Sequence, residues 1–274
     1  MDNLYLFWLA LIQGVSEFLP VSSSAHLIIF PHLLNRDDQG IVIDVALHFG
    51  TLLAVLFYFR KDCIAILLGA FDLVLMLFDK KKHLSNRANL FCNLSIATLP
   101  IIITGFFLFD LVALWGRNPA IIIGATLLFC PLLWLADRVE ERIEKPELLN
   151  WKQAFWIGCC QIFALIPGAS RAGMCLIGTR ALGLGRKQAM RFTMMLSVPA
   201  IIGATGLTLL KWISDAPHLG DINIESIMFA FMFAFISAFL TIFILMRFIE
   251  RIGLTIFVFY RLGFACFLTI WFYF

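Results

Sequence analysis

Apolar residues along this chain gather in blocks rather than in stripes. Residues 91–109, 119–135 and 227–246 each approach the roughly 20 residues a helix needs to cross a bilayer, and 193–210 and 253–274 follow the same pattern. The stretch 43–78 is interrupted by Arg60, Lys61 and Asp62. It predicts either two short spans, or one span over 43–59 followed by a segment, 63–78, that lies on the membrane surface. Two further apolar regions, 1–34 and 151–184, break near their middles at a proline followed by small and polar residues: Pro20 in FLPVSSSAH and Pro167 in LIPGASRAG. Non-helical backbone at membrane depth is tolerated only where protein or a water-filled cavity surrounds it, so each region predicts a re-entrant helical hairpin.

Charge decides the orientation. Lys and Arg concentrate in cytoplasmic loops close to the spans. With 43–59 as the span, Arg60, Lys61, Lys80, Lys81, Lys82 and Arg87 share the inner side with Arg138, Arg142, Lys145 and Lys152, with Arg186, Lys187 and Arg191, and with Arg247 and Arg251. Only Arg36, Arg117 and Lys211 then fall outside. This holds if each hairpin enters and leaves on one side, the first opening outward and the second inward. Pro20 and Pro167 each have a serine three residues on, Ser23 and Ser170, which adds a weak internal repeat.

The expected fold is therefore an all-α integral membrane protein of about six transmembrane helices plus two re-entrant hairpins in two inverted-topology repeats. It forms a single polytopic domain over 1–274. Repeat one covers about 1–135, with its hairpin at 1–34; repeat two covers about 151–274, with its hairpin at 151–184. Such repeats place a ligand where the broken helices meet. Composition agrees: 61% of residues are hydrophobic and 14% charged, with a mean hydropathy of +0.93. A net charge of +3, spread between apolar blocks, gives no support to nucleic-acid binding. The seven cysteines lack metal-ligand spacing and read as buried thiols. The opening residues have neither a basic stretch nor a small-residue cleavage site, so no removable signal peptide is expected.

Polar groups inside apolar segments are costly and mark function. Between Gln13 and His26 the chain carries an amide, a carboxylate, several hydroxyls and an imidazole. Gln13 and Glu17, four apart, share a helix face. His26 lies three residues past Ser23, close enough for the imidazole to deprotonate that hydroxyl or to act as the nucleophile itself. Ser22 reads as a helix N-cap and as a phosphate contact. In the second break, Gly168, Ser170, Arg171 and Gly173 combine close backbone approach, a helix start and a forked cation, which together suit a phosphate. Asp44 and His48, also four apart, are expected to support the site from a neighbouring helix or to pair structurally. Arg180 reads as interfacial or structural. Arg261, beside Tyr260, is a buried charge in need of a partner.

These segments resemble the undecaprenyl-diphosphatase, or bacitracin-resistance, family. The resemblance runs through QGVSEFLPVSSSAHL, DVALHFGTLLAVLFYFRKD, PGASRAG, FTMMLSVPAIIGA and FVFYRLG. It implies an enzyme of the bacterial cytoplasmic membrane, with its site open to the outer face, that removes the terminal phosphate of undecaprenyl diphosphate. The family's paired acidic motif falls on Gln13 and Glu17, its SSxxH hydroxyl and imidazole on Ser23 and His26, and its PGxSR motif on Ser170 and Arg171. Gln13 stands where Glu is common, and Ala172 and Cys175 stand where Ser and Thr are common. The implied partners are a polyprenyl diphosphate lipid and the bilayer, with homo-oligomerisation left open. The implied cofactor is a divalent cation, Mg or Ca, held by Glu17 with Gln13. Two rivals are an acid-phosphatase-like membrane enzyme, disfavoured by Ile177 and the lack of an upstream K-x6-RP, and an inverted-repeat transporter or flippase of the lipid carrier.

Overall fold

The computed structural model describes residues 2–78, 84–116, 118–214 and 223–274. Lys80, Lys81, Lys82 and Arg117, assigned to loops above, lie outside the described residues. Within them the chain is helical, running α1 Asn3–Ser16, α2 Ser23–Leu33, α3 Ile41–Tyr58, α4 Arg60–Phe78, α5 Asn86–Trp115, α6 Pro119–Asp137, α7 Trp151–Ile162, α8 Arg171–Ala181, α9 Arg186–Ser214, α10 Ile224–Ile252 and α11 Thr255–Tyr273. Six of these, α3, α5, α6, α9, α10 and α11, are long and apolar enough to cross a bilayer, which agrees with the expected number.

Local chemistry sets the boundaries. Asp2 accepts from the Leu4 amide at 3.0 Å and starts α1. Ser85 starts α5 by accepting from Ala88 N, and Asn118 starts α6 by accepting from Ala120 N ahead of Pro119. Asn150 and Gln153 form a reciprocal capping box at α7. The interrupted stretch resolves as two helices: α3 ends at Phe59, and α4 begins at Arg60 with its charges in the first turn. Asp62 there pairs with Arg191 of α9.

At 14 and 11 residues, α1 and α2 are about 21 and 16 Å long, and α7 and α8 are as short, so none matches a core of about 30 Å. The first helix of each short pair packs on a long helix through a glycine. A Cβ on Gly14 would lie 1.8 Å from Ser237 Oγ and 2.7 Å from Ala238 N of α10. One on Gly158 would lie 2.7 Å from the Ala97 carbonyl of α5. Ser237 Oγ also donates to the Ala10 carbonyl at 3.0 Å, and Gln161 Nε2 to the Ala97 carbonyl at 3.2 Å. α6 and α11, each of 19 residues, pack on one another, as do α3 and α10.

The outer faces of the long helices are apolar: Ile103, Phe106 and Phe107 on α5, and Met232, Ile236, Leu240 and Phe243 on α10, are exposed. A surface of this kind is unstable in water and suited to lipid. At one end of the bundle, Asp137 accepts from Arg186 at 2.7 and 3.0 Å and from the Leu254 amide at 3.1 Å. Arg180 donates to the carbonyls of Asp137, Val139 and Leu184. It therefore ties the ends of α6, α8 and α9 together.

Candidate active site

The two breaks share an unusual backbone. Ser22 has φ 75° and Ser170 φ 72°, each immediately before the second short helix of its pair; among the described residues only Asn35 is another non-glycine with positive φ. Such positions are strained for residues with a Cβ and persist where the surroundings enforce them, most often at functional sites. Measured from the helix starts, Ser22 rather than Ser23 stands where Ser170 does. Ser23 and Arg171 are then the first residues of α2 and α8.

Glu17 ends α1 and is buried. Its Oε2 accepts from Gln13 Nε2 at 3.0 Å and from Ser23 Oγ at 2.7 Å, while its Oε1 accepts from Arg171 Nη2 at 3.0 Å. One carboxylate thus joins both breaks. The side chains of Glu17 and Arg171 are only 5% and 15% exposed, so the pair is poorly screened. Two polar atoms here are buried without a partner: Gln13 Oε1 and Arg171 Nη1. An acceptor and a cationic donor left open beside a buried carboxylate are what a charged ligand would complete.

His26 lies elsewhere than the spacing predicted. Its Nδ1 is 2.7 Å from the Ser22 carbonyl, and its Nε2 is 2.7 Å from Tyr260 Oη. A carbonyl only accepts, so this network assigns the ring proton to Nδ1 and makes Nε2 the acceptor from Tyr260. The ring stacks on Phe264 at 4.3 Å. Ser23 therefore has Glu17, not His26, as its partner. Ser22 occupies the cap position, but its hydroxyl makes no capping bond and lies 3.3 Å from Ser24 Oγ; its carbonyl does the work, holding His26.

His48 comes close to the site. Its Nδ1 donates to the Asp44 carbonyl at 2.7 Å, which leaves Nε2 3.8 Å from Glu17 Oε2. The Asp44 carboxylate accepts from Gln39 Nε2 at 2.6 Å.

In the second break Ser170 caps α8 by accepting from Gly173 N at 3.2 Å, which leaves its hydroxyl proton for another acceptor. Both glycines are closely packed on the side where a Cβ would stand. A Cβ on Gly168 would strike the Ile122 carbonyl at 2.4 Å, and the residue has φ 93°; one on Gly173 would lie 3.1 Å from Arg261 Nη1. Arg261 Nη2 donates to the Gly168 carbonyl at 2.8 Å, and Thr126 Oγ1 to the same oxygen at 3.3 Å. Sequence reasoning flagged Arg261 and Tyr260 without finding their partners, and missed Thr126 and Gln161. Cys175 is buried, with its thiol donating to Gln161 Oε1 at 3.3 Å. Among the described residues no group of three or more His, Cys, Asp or Glu side chains is spaced to hold a metal.

Six apolar spans, with a carboxylate, a hydroxyl and a guanidinium gathered between them at two helix breaks, define a multi-pass membrane protein with a buried polar cluster. The chain belongs to the bacitracin resistance protein BacA family, whose model matches residues 6–267. It is similar to the undecaprenyl-diphosphatase of Maricaulis maris (strain MCS10), at 39% identity over 272 residues, covering 99% of this chain and 100% of that protein. It is also similar to undecaprenyl-diphosphatase 2 of Stutzerimonas stutzeri (strain A1501), at 37% identity over 267 residues, covering 96% and 95%.

Proposed function

We propose that this protein hydrolyses undecaprenyl diphosphate to undecaprenyl phosphate and inorganic phosphate. The observation that carries the reading is Glu17 holding Ser23 at 2.7 Å and Arg171 at 3.0 Å, from opposite breaks, with Arg171 Nη1 buried and open. The family and the two relatives' names agree with it. A flippase would need no nucleophile paired with a base, so the transporter reading gains nothing from this geometry.

In this reading Ser23 Oγ attacks the terminal phosphorus as Glu17 takes its proton. The bond from phosphorus to the bridging oxygen breaks, and the lipid monophosphate leaves with the electron pair. Water then cleaves the phosphoserine, releasing phosphate and restoring Ser23. Arg171, with the Ser170 hydroxyl and the α8 N-terminus, stabilises charge on the transferring group. His26 holds the Ser22 carbonyl and so fixes the break from which Ser23 emerges. A divalent cation, Mg or Ca, fits only in part: Glu17 and the open Gln13 Oε1 supply two oxygens, as in sites that rely on substrate phosphates for the rest. Such a cation would neutralise the diphosphate. An apolar groove between α5 and α9, lined by Gly105, Phe106, Ala200, Gly203 and Leu207, closes on Leu165 next to the second break and suits a prenyl tail.

The same reading takes α1–α2 and α7–α8 as re-entrant hairpins of two inverted repeats in the cytoplasmic membrane, with the site open outward. Three features support this: the shared backbone at Ser22 and Ser170, the matching glycine contacts of α1 on α10 and α7 on α5, and the basic residues near Asp137. The test is phosphate release from undecaprenyl diphosphate by purified protein in liposomes. Loss of release in Arg171→Ala and Ser23→Ala, with a phosphoserine trapped at Ser23 in the native protein, is expected. Transbilayer lipid movement without release would refute the enzyme.

A further inference from the structure

Among the described residues Arg261 is the largest side chain with no exposure, and it comes from α11, outside both short helix pairs. Its Nη2 donates to the carbonyl of Gly168 at 2.8 Å, and its Nη1 makes a longer contact of 3.5 Å with the carbonyl of Pro20. These carbonyls belong to the two breaks, so one guanidinium touches both halves of the site from behind. Its partners among the described residues are neutral carbonyl oxygens, and its Nε is buried without a partner. A buried cation normally has an acidic partner, because desolvation otherwise leaves its charge uncompensated. Here that charge sits under the first turn of α8, 3.1 Å from where a Gly173 Cβ would be.

We propose that Arg261 is the positioning residue of the site: it sets the distance between Ser23 on one break and Arg171 on the other, and its uncompensated charge favours a diphosphate between them. The inference rests on the phosphatase reading. The fork explains why arginine is used: a guanidinium presents donors in fixed directions to two separate carbonyls, whereas an ammonium reaches them only as a single point. A Cβ at Gly173 would press on the guanidinium from 3.1 Å.

The test compares wild type, Arg261→Lys, Arg261→Met and, as a buried arginine remote from the breaks, Arg180→Lys. The full-length protein is assayed in liposomes for kcat and KM on undecaprenyl diphosphate, with folded fraction and thermal midpoint measured on the same samples. Arg261→Lys keeps the charge and loses the fork. It is expected to lower kcat roughly 100-fold per folded molecule, the scale for an ångström-sized misplacement at a reacting centre, with KM changed less than about threefold. Arg261→Met also loses the charge and is expected to raise KM as well. Arg180→Lys lowers the midpoint without changing kcat per folded molecule. If Arg261→Lys turns over like wild type, or loses activity only in proportion to unfolded protein, the inference is wrong. If Arg261→Met fails to fold, the lysine variant still decides. A wild-type protein that releases no phosphate would instead sink the phosphatase reading itself.

Discussion

Replacing Glu17 by Gln keeps the shape of the side chain and removes its charge, which makes it the most direct probe of the site. Much of the hydrogen bonding survives. The new amide oxygen can accept from Ser23 or Arg171, and the new NH2 can donate to Gln13 Oε1 once the Gln13 amide turns over, which fills an acceptor that has no partner now. What does not survive is the ion pair. Arg171 is 15% exposed and would become a buried cation whose remaining partners are neutral, a change that costs about 3–5 kcal/mol when one partner of a buried pair is removed. The lower end is expected here, because an anion can enter beside the guanidinium.

The chemical loss is separate. Without a base to receive the Ser23 proton, kcat is expected to fall by about 10²–10⁴, or about 3–5 kcal/mol of barrier. Thermal unfolding in detergent measures the first quantity, and phosphate release at saturating lipid the second. Added inorganic phosphate should raise the unfolding midpoint of Glu17→Gln by more than that of wild type, since it replaces the missing negative charge. A Glu17→Gln enzyme that keeps kcat within tenfold of wild type would refute Glu17 as the base. An unchanged melting temperature would refute the buried pair.

Three further outcomes follow from neighbouring geometry. Gln13→Glu places a second carboxylate about 3 Å from Glu17, where two negative charges need a shared proton or a cation, so activity should become more sensitive to chelators than wild type, as an EDTA titration would read. Gly158→Ala drives a methyl to 2.7 Å from the Ala97 carbonyl and 2.9 Å from Pro100 Cγ, and should lower stability by about 1–3 kcal/mol as α7 is pushed off α5; an unchanged melt would refute that close contact. Asp137→Asn leaves Arg186 and Arg180 without their carboxylate and should cost about 3–5 kcal/mol in stability while leaving kcat per folded molecule intact; a selective loss of kcat would mean that this cluster reaches the site.

The spans and breaks were legible because lipid imposes a simple rule: apolar blocks of bilayer length, interrupted only where protein shields the backbone. The pairing of Gln13 with Glu17 was legible too, because i,i+4 spacing survives to the last turn of α1. The His26 geometry was not. The imidazole does face the start of α2, but it meets the Ser22 carbonyl rather than the Ser23 hydroxyl, and Tyr260, 234 residues away in sequence, takes the other nitrogen. Arg261 was recognised as a charge in need of a partner. Its partners are main-chain oxygens, which no residue type announces. Gly168 and Gly173 were read as places of close backbone approach; the packing of Ile122 and Arg261 against their Cβ sides, a contact between elements far apart in the chain, was not legible.

The two breaks also explain how similar local backbones come to hold different chemistry. Ser22 and Ser170, Gln13 and Gln161, and Ser23 and Arg171 stand at matching distances from the starts of α2 and α8. The first two pairs share residue type, and both glutamines are fully buried. The third pair occupies the first residue of each short helix, where a side chain is aimed by the helix start, and there the residues differ: a hydroxyl on one side and a guanidinium on the other. Leu165 stands at the same distance from the start of α8 as Glu17 from the start of α2, so at that position only the first break carries an acid. A symmetric site with two arginines would bind a diphosphate and stop there, and one with two serines would lack the cation to hold it. Phosphoryl transfer needs a nucleophile and a charge acceptor facing one another across the ligand. In the proposed reading, two breaks whose first residues differ supply that arrangement, with Glu17 hydrogen-bonded to both.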